Sequence, residues 1–267
     1  MRLLSYHGPD GPSAGVVDGT TVSQISASVL DVVRGAAIER TGTSVALDGL
    51  SILAPFRPGK LIGIGLNYRD HAAETGKPVP DIPLLFAKMP TSVTGPAGPV
   101  VLPAYTAKPD YEGELAVVIG QVARNVTAVD ALGCVFGYAV MNDVSARDVQ
   151  QSEPQWVRAK GADTFAPWGP WITTADEVAD PQALSIRTWL SGELVQDGTT
   201  SDMVFGVADL IAFISSSFTI EPGDVITTGT PAGVGVARTP PRFLRDGDVV
   251  RVEIEGLGAI EHAVIGA

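Results

Sequence analysis

A chain of 267 residues with 45% hydrophobic side chains is long enough to bury a substantial core, and its apolar residues run throughout, which excludes low-complexity disorder. Thirty glycines and twenty prolines favour many turns and short strands over long helices. The formal net charge of −12 would repel a phosphate backbone, so nucleic acid is not an expected partner, whereas a small anionic substrate stays open because a bound metal and local cations override the global field at short range.

Residues 1 to about 55 read as a small, turn-rich unit, with turn signals at Gly8-Pro9-Asp10-Gly11-Pro12 and Val17-Asp18-Gly19-Thr20. The segment Ala54–Lys60 then reads as a connector, which divides the chain into residues 1–57, a small N-terminal domain, and residues 58–267, a larger domain. Leu61–Leu66 is a short apolar run and predicts a buried strand. The polar stretch Asn67–Gly76 that follows is helix-compatible and closes on a glycine stop. Strands are predicted over Tyr111–Ile119, Phe136–Met141, Val225–Thr228 and Val249–Ile254, a short helix or turn from Asp130, and a hairpin over Trp189–Val195. Leu210, Ile211 and Ile214 share one face of a predicted helix over Val207–Ser217. The regular βαβ alternation of a doubly wound sheet is missing, so the expected class is α+β, mainly β.

The single cysteine, Cys134, lies in the apolar run Cys134-Val135-Phe136, where a packing role is expected rather than a reactive one. The N-terminus lacks the apolar stretch of a signal peptide, and no apolar run reaches the roughly 20 residues of a membrane span. A cytoplasmic protein without membrane attachment is therefore the expectation.

Chemistry concentrates at Tyr111-Glu112-Gly113-Glu114-Leu115. Residues i and i+2 of a strand point to one face, so Glu112 and Glu114 project together with Gly113 opposite. Two neighbouring carboxylates at the mouth of a buried strand repel each other unless a cation lies between them. Oxygen-only ligation suits Mg²⁺ or Mn²⁺, and Ca²⁺ less specifically. An edge strand with two solvated glutamates is the competing reading. Asp143, at the end of the strand Phe136–Met141, is a third carboxylate. It reads equally as a helix N-cap with Arg147 one turn on. Arg147 and Lys160 are the candidate cations. His71 and Glu74, three apart in the predicted helix, could form a general-base pair. The loop Thr228-Gly229-Thr230-Pro231-Ala232-Gly233-Val234-Gly235 carries no Gly-Lys-Ser/Thr and is not a phosphate loop. Its hydroxyls and N–H groups could hold a carboxylate, or it is a tight turn.

These segments together resemble the fumarylacetoacetate hydrolase family. The matching pieces are Gly65-Leu66-Asn67-Tyr68 with His71 and Glu74, Asp110-Tyr111-Glu112-Gly113-Glu114-Leu115, Gly137-Tyr138, Asn142-Asp143-Val144-Ser145-Ala146-Arg147-Asp148, Lys160, Pro222-Gly223-Asp224-Val225-Ile226 and Thr228-Gly229-Thr230-Pro231. The resemblance covers residues 60 to 260 and implies a mixed β-roll catalytic fold, a homodimer, and Mg²⁺ or Mn²⁺ on Glu112, Glu114 and Asp143. It assigns His71 and Glu74 to a lid that activates water, Lys160 to the developing negative charge, and Arg147, Gln150 and Thr230 to contacts with a small 2-oxo acid substrate. The reaction expected on this footing is hydrolysis of a C–C bond in an acylpyruvate-type 2,4-dioxo acid through a metal-bound pyruvate enolate. Oxaloacetate decarboxylation and 2-hydroxyhepta-2,4-diene-1,7-dioate isomerisation are alternatives that share the enolate. Glu261-His262 departs from the family, which commonly carries Asn there.

Overall fold

A computed structural model describes residues 1–266. Ten strands follow one another across the main sheet, in the order Arg40–Ala46, Thr21–Ile25, Gly11–Asp18, Arg2–Gly8, Ala166–Thr174, Val135–Asn142, Gly113–Ile119, Val225–Thr227, Leu61–Gly65 and Leu84–Lys88. Neighbours along this path run antiparallel except Val225–Thr227 with Leu61–Gly65. Residues 1–57 thus extend the main sheet, through the pairing of Arg2 with Thr173 and Leu3 with Ile172. A second sheet orders Glu193–Thr199, Ser185–Leu190, Val249–Ile254, Gly258–Gly266 and Val100–Leu102.

The strand Gly113–Ile119 is buried along its whole length, as an unbroken apolar run requires. Leu115, Val117 and Ile119 enter the core shared with the second sheet and the helix Val207–Ser217, while Ala116 and Val118 enter the core shared with Trp168, Ile172 and Leu3. Each fully buried Val, Leu or Ile side chain contributes about 1.5–3 kcal/mol, and this central packing offsets the cost of the charges held at the strand's start. Gly113 faces the second sheet, where a Cβ would stand 2.4 Å from Thr188 Oγ1. Only a residue without a side chain fits there, which leaves Glu112 and Glu114 together on the other side.

The predicted elements stand close to where the sequence places them. The helix Val207–Ser217 buries Val207, Leu210, Ile211 and Ile214, and Gly76 follows the helix Arg69–Glu74 with φ +65°, a glycine stop. The hairpin is longer than expected, Ser185–Leu190 with Glu193–Thr199, and turns on Ser191 and Gly192, both at positive φ. Cys134 is buried. The strand predicted over Tyr111–Ile119 begins only at Gly113, so Glu112 stands just before it. Its N–H bonds to the side chain of Asn142 (3.0 Å) rather than to a strand backbone, while its carbonyl accepts Asp143 N–H at 2.8 Å. Asp143 is not a helix N-cap: the helix Arg147–Ser152 starts from Ala146. Among the described residues no helix is long and apolar enough to cross a membrane.

The second sheet reaches the site strands through His262, whose Nε2 lies 3.1 Å from Asn142 Nδ2. Because Asn142 Oδ1 accepts Glu112 N–H, its amide group donates to His262, and the imidazole is neutral. Burial lowers its pKa from 6.5 to about 4. A histidine depressed in the fold binds fewer protons than in the unfolded chain between those values, so stability is lost as pH falls from 6.5 towards 4, by about 3 kcal/mol at most. His262→Asn is expected to flatten this acid limb, read as urea midpoints at pH 7 and pH 4.5. An unchanged dependence would remove His262 as its source.

Candidate metal and catalytic site

Glu112, Glu114 and Asp143 converge from the ends of two adjacent strands, offering ligand oxygens within 4.8 Å of one another. All three are at least 95% buried, so the reading of two solvated glutamates on an edge strand is overturned: the strand is central and its mouth is covered. Three cations answer them. Lys160 Nζ donates to Glu112 Oε2 (2.5 Å) and Asp143 Oδ2 (2.7 Å). Lys88 Nζ donates to Asp143 Oδ1 at 2.6 Å, and Arg147 Nη1 lies 2.7 Å from Glu112 Oε1. Arg147 also donates from Nε to Asp110 Oδ2 (2.8 Å) and from Nη1 to Gln150 Oε1 (3.0 Å). The helical pairing of Arg147 with Asp143 does not form, because the guanidinium turns to Asp110 and Glu112 instead.

Electrostatics separates the three acids. Burial would raise Glu112, but Lys160 and Arg147 outweigh it and hold its carboxyl below the usual carboxylate range. Glu114 accepts only neutral donors, Thr227 Oγ1 and Gly229 N–H (2.9 Å), and among the described residues it forms no ion pair. Burial, then the charges of Asp143 and Glu112, push it well above that range. Burial opposes the charge on Lys160 too, yet Asp143 and Glu112 hold its pKa above the ordinary lysine value. Lys88, equally buried, comes out below it. A divalent cation fits this donor set: it would supply the counter-charge Glu114 lacks, and each carboxylate oxygen already bonded to a lysine keeps a further lone pair for it. An all-oxygen set of this kind suits Mg²⁺ or Mn²⁺.

The triad opens into a cavity of about 530 Å³, which His71, Glu74, Arg147, Gln150, Lys160 and Thr230 all line. Every site residue expected from the sequence is thus brought to one place. His71 Nδ1 stands 2.7 Å from Glu74 Oε1, and Glu74 Oε2 accepts Gly233 N–H at 2.8 Å, tying the helix Arg69–Glu74 to the glycine-rich loop. Thr230 Oγ1 donates to Gly113 O (3.0 Å) and accepts from Gln196 Nε2 (2.8 Å), so its hydroxyl proton is committed to the backbone. Among the described residues Arg147 Nη2 is buried without a partner, a donor left for a ligand.

Sequence reasoning missed Lys88, Asp110, Asn67 and Arg238. Lys88 ends the strand Leu84–Lys88, in a proline-flanked stretch that carries no apolar alternation to announce burial. Asp110 stands inside the acidic motif, but its role needs the chain 125 residues on: it accepts Gly235 N–H (2.8 Å) and Val236 N–H (3.0 Å) as well as Arg147. Asn67 binds Thr228 O (2.8 Å) and both polar groups of Phe205. These bonds hold neighbouring Leu66, another cavity residue, at φ +54°, where a bulky side chain is strained.

The sequence matches the fumarylacetoacetate (FAA) hydrolase C-terminal family over residues 60–265, and the Rv2993c-like N-terminal family over residues 1–55. The chain belongs to the fumarylacetoacetate hydrolase family. It is 42% identical to the human mitochondrial oxaloacetate tautomerase, over 99% of this chain and 92% of that protein. The Xenopus laevis mitochondrial oxaloacetate tautomerase is 40% identical, over 99% and 90%. Among solved structures, the 2-hydroxyhepta-2,4-diene-1,7-dioate isomerase of Mycobacterium marinum is similar at TM-score 0.87 and 38% identity, covering 100% of this chain and 98% of that one. The fumarylacetoacetate hydrolase of Exiguobacterium antarcticum reaches 0.91 at 37%, covering all of both chains. The mainly β fold expected from the sequence is the fold of these enzymes, and the family spans hydrolase, isomerase and tautomerase names.

Glu114 offers a direct test of the cation site. Its raised carboxyl makes the folded protein bind more protons than the unfolded chain, so metal-free protein is expected to lose stability as pH rises above 4.5. Glu114→Gln should flatten that slope and abolish the gain in melting temperature on adding Mg²⁺ or Mn²⁺. Retention of the full metal-dependent gain in Glu114→Gln would remove Glu114 from the ligand set.

Proposed function

We propose that this protein is a divalent-metal-assisted enzyme that moves a proton on a small 2-oxo acid, interconverting keto and enol forms of an oxaloacetate-type substrate. The observation that carries this reading is the His71–Glu74 pair on the wall of the cavity that contains the acidic triad. Glu74 holds the tautomer with hydrogen on Nδ1, which leaves the Nε2 lone pair of His71 as a base. The names of the two tautomerases and of the isomerase support it.

What a divalent ion would add on Glu112, Glu114 and Asp143 is Lewis-acid polarisation of the 2-oxo group. The chain's own groups do the rest. Arg147, through its unpartnered Nη2, binds the carboxylate next to the oxo group, and Gln150 keeps that guanidinium in place. His71 takes a proton from the adjacent carbon. The negative charge then develops on the oxo oxygen, beside the buried Lys160 ammonium. Return of the proton to oxygen gives the enol, and the reverse sequence gives the ketone. Thr230 fixes the loop wall through Gly113 and Gln196.

Acylpyruvate hydrolysis, the expectation from sequence, is the second reading. The same base could deprotonate a water, and a cavity of about 530 Å³ has room for a substrate and a water together.

The metal-loaded protein would be assayed in parallel for loss of the ultraviolet absorbance of enol-oxaloacetate, cleavage of acetylpyruvate and isomerisation of a 2-hydroxy-diene-dioate. Enol conversion is expected to be the fastest. His71→Gln should lower it about 100-fold or more while leaving metal affinity intact, the usual scale for loss of a general base. Faster acetylpyruvate cleavage would transfer the assignment to the hydrolase, and full activity in His71→Gln would overturn the base.

A further inference from the structure

We propose that Arg238 is a specificity-determining residue: its guanidinium receives the distal carboxylate of a 2-oxo diacid and gives up its present partner, Glu193, to do so. This rests on the 2-oxo acid reading and names which members of that class the site prefers.

The cavity is lined by three arginine or lysine side chains in very different situations, besides Lys77 at its rim. Lys160 and Arg147 are buried and held by the acids of the site. Arg238 is 31% exposed, and among the described residues its one carboxylate partner is Glu193, itself 64% exposed on the outer hairpin. A solvated ion pair of that kind adds little stability. A ligand carboxylate inside the cavity is less screened by water and competes well for the same guanidinium, which matches a carboxylate with two parallel donors.

The backbone fixes Arg238 relative to Arg147. Arg238 follows the turn Gly235–Ala237, whose Gly235 and Val236 N–H groups donate to Asp110. The same Asp110 carboxylate accepts Arg147 Nε. One buried acid therefore sets the positions of both arginines, and Tyr111 secures the loop between them through its hydroxyl bond to Gly233 O at 2.9 Å. Two guanidinium groups lining one cavity, joined through Asp110, suit a ligand with an anion at each end. The apolar residues Leu66, Trp156, Val236 and Pro241 line the same space, and none of them offers the distal end a charge. The cavity's own acids are already engaged: Glu74 with His71 and Gly233, Glu112 with Lys160 and Arg147, and Glu114 with Thr227 and Gly229.

The test is calorimetric titration of the Mn²⁺-loaded full-length protein with 2-oxoglutarate and 2-oxopentanoate, which differ only in a distal carboxylate against a methyl group. Wild type is expected to bind the diacid about tenfold more tightly, the scale of one charge-assisted pair. Arg238→Gln should bring the two within about twofold without changing the affinity for 2-oxopentanoate. Glu193→Gln, which removes the competing carboxylate, should widen the preference. A preference that survives in Arg238→Gln, or that disappears in Lys77→Gln instead, would overturn the assignment. So would an equal weakening of both ligands in Arg238→Gln. Equal binding of the two by wild type would overturn the preference for a diacid while leaving the 2-oxo acid reading in place. If neither ligand bound wild type, the 2-oxo acid reading itself would fall, and the proposal with it.

Discussion

Three carboxylates enclosed between two strand ends repel one another, and much of the site's architecture answers that repulsion. Lys160 bridges Glu112 and Asp143, Lys88 takes the other oxygen of Asp143, and Arg147 joins Glu112 to Asp110. Burying such charges is costly, and a fold tolerates it only where each is paired and bonded with good geometry. Glu114 is the exception, bonded only to neutral donors and raised by the acids beside it. An arrangement that balances all but one of its ligands is suited to accept a cation from solution.

The same pairs fix the geometry of the cavity. Asp110 binds Arg147 and the turn that carries Arg238, while Asn67 joins Thr228 to Phe205. Glu74 spans from His71 to Gly233. Apart from the Asp110–Arg147 and His71–Glu74 pairs, these bonds join segments more than a hundred residues apart. The bonds of Asp110 to Arg147 and Gly235, and of Asn67 to Thr228, are buried, so displacement of one segment would leave a buried polar group unpaired. Held in this way, His71, Arg147 and Arg238 keep their places around the cavity beside the triad, the preorganisation that the proposed proton transfer would require.

The two sheets contribute unequally. The main sheet supplies the carboxylates from adjacent central strands, where apolar packing on both faces resists distortion. The second sheet covers the side of Gly113 and reaches the site through Gln196 and His262. The N-terminal strands pair at the far side of the catalytic sheet, through Arg2–Gly8, and supply none of the residues lining the cavity.

By itself the sequence determined the central strand, because an apolar run from Leu115 to Ile119 has few alternatives to burial. It likewise determined the helix Val207–Ser217, because its apolar spacing is near 3.6 residues, and it paired Glu112 with Glu114, although the strand itself begins only at Gly113. Its motifs also named every residue expected at the cavity. Tertiary structure alone decided that the acidic pair is enclosed rather than solvated, since burial depends on which strands lie on either side. It decided that Arg147 serves Asp110 and Glu112 instead of Asp143, and that Lys88, Asp110 and Arg238 belong to the site. Those assignments are long-range electrostatic pairings: a charge chooses its partner by distance in space, and local periodicity carries no record of it.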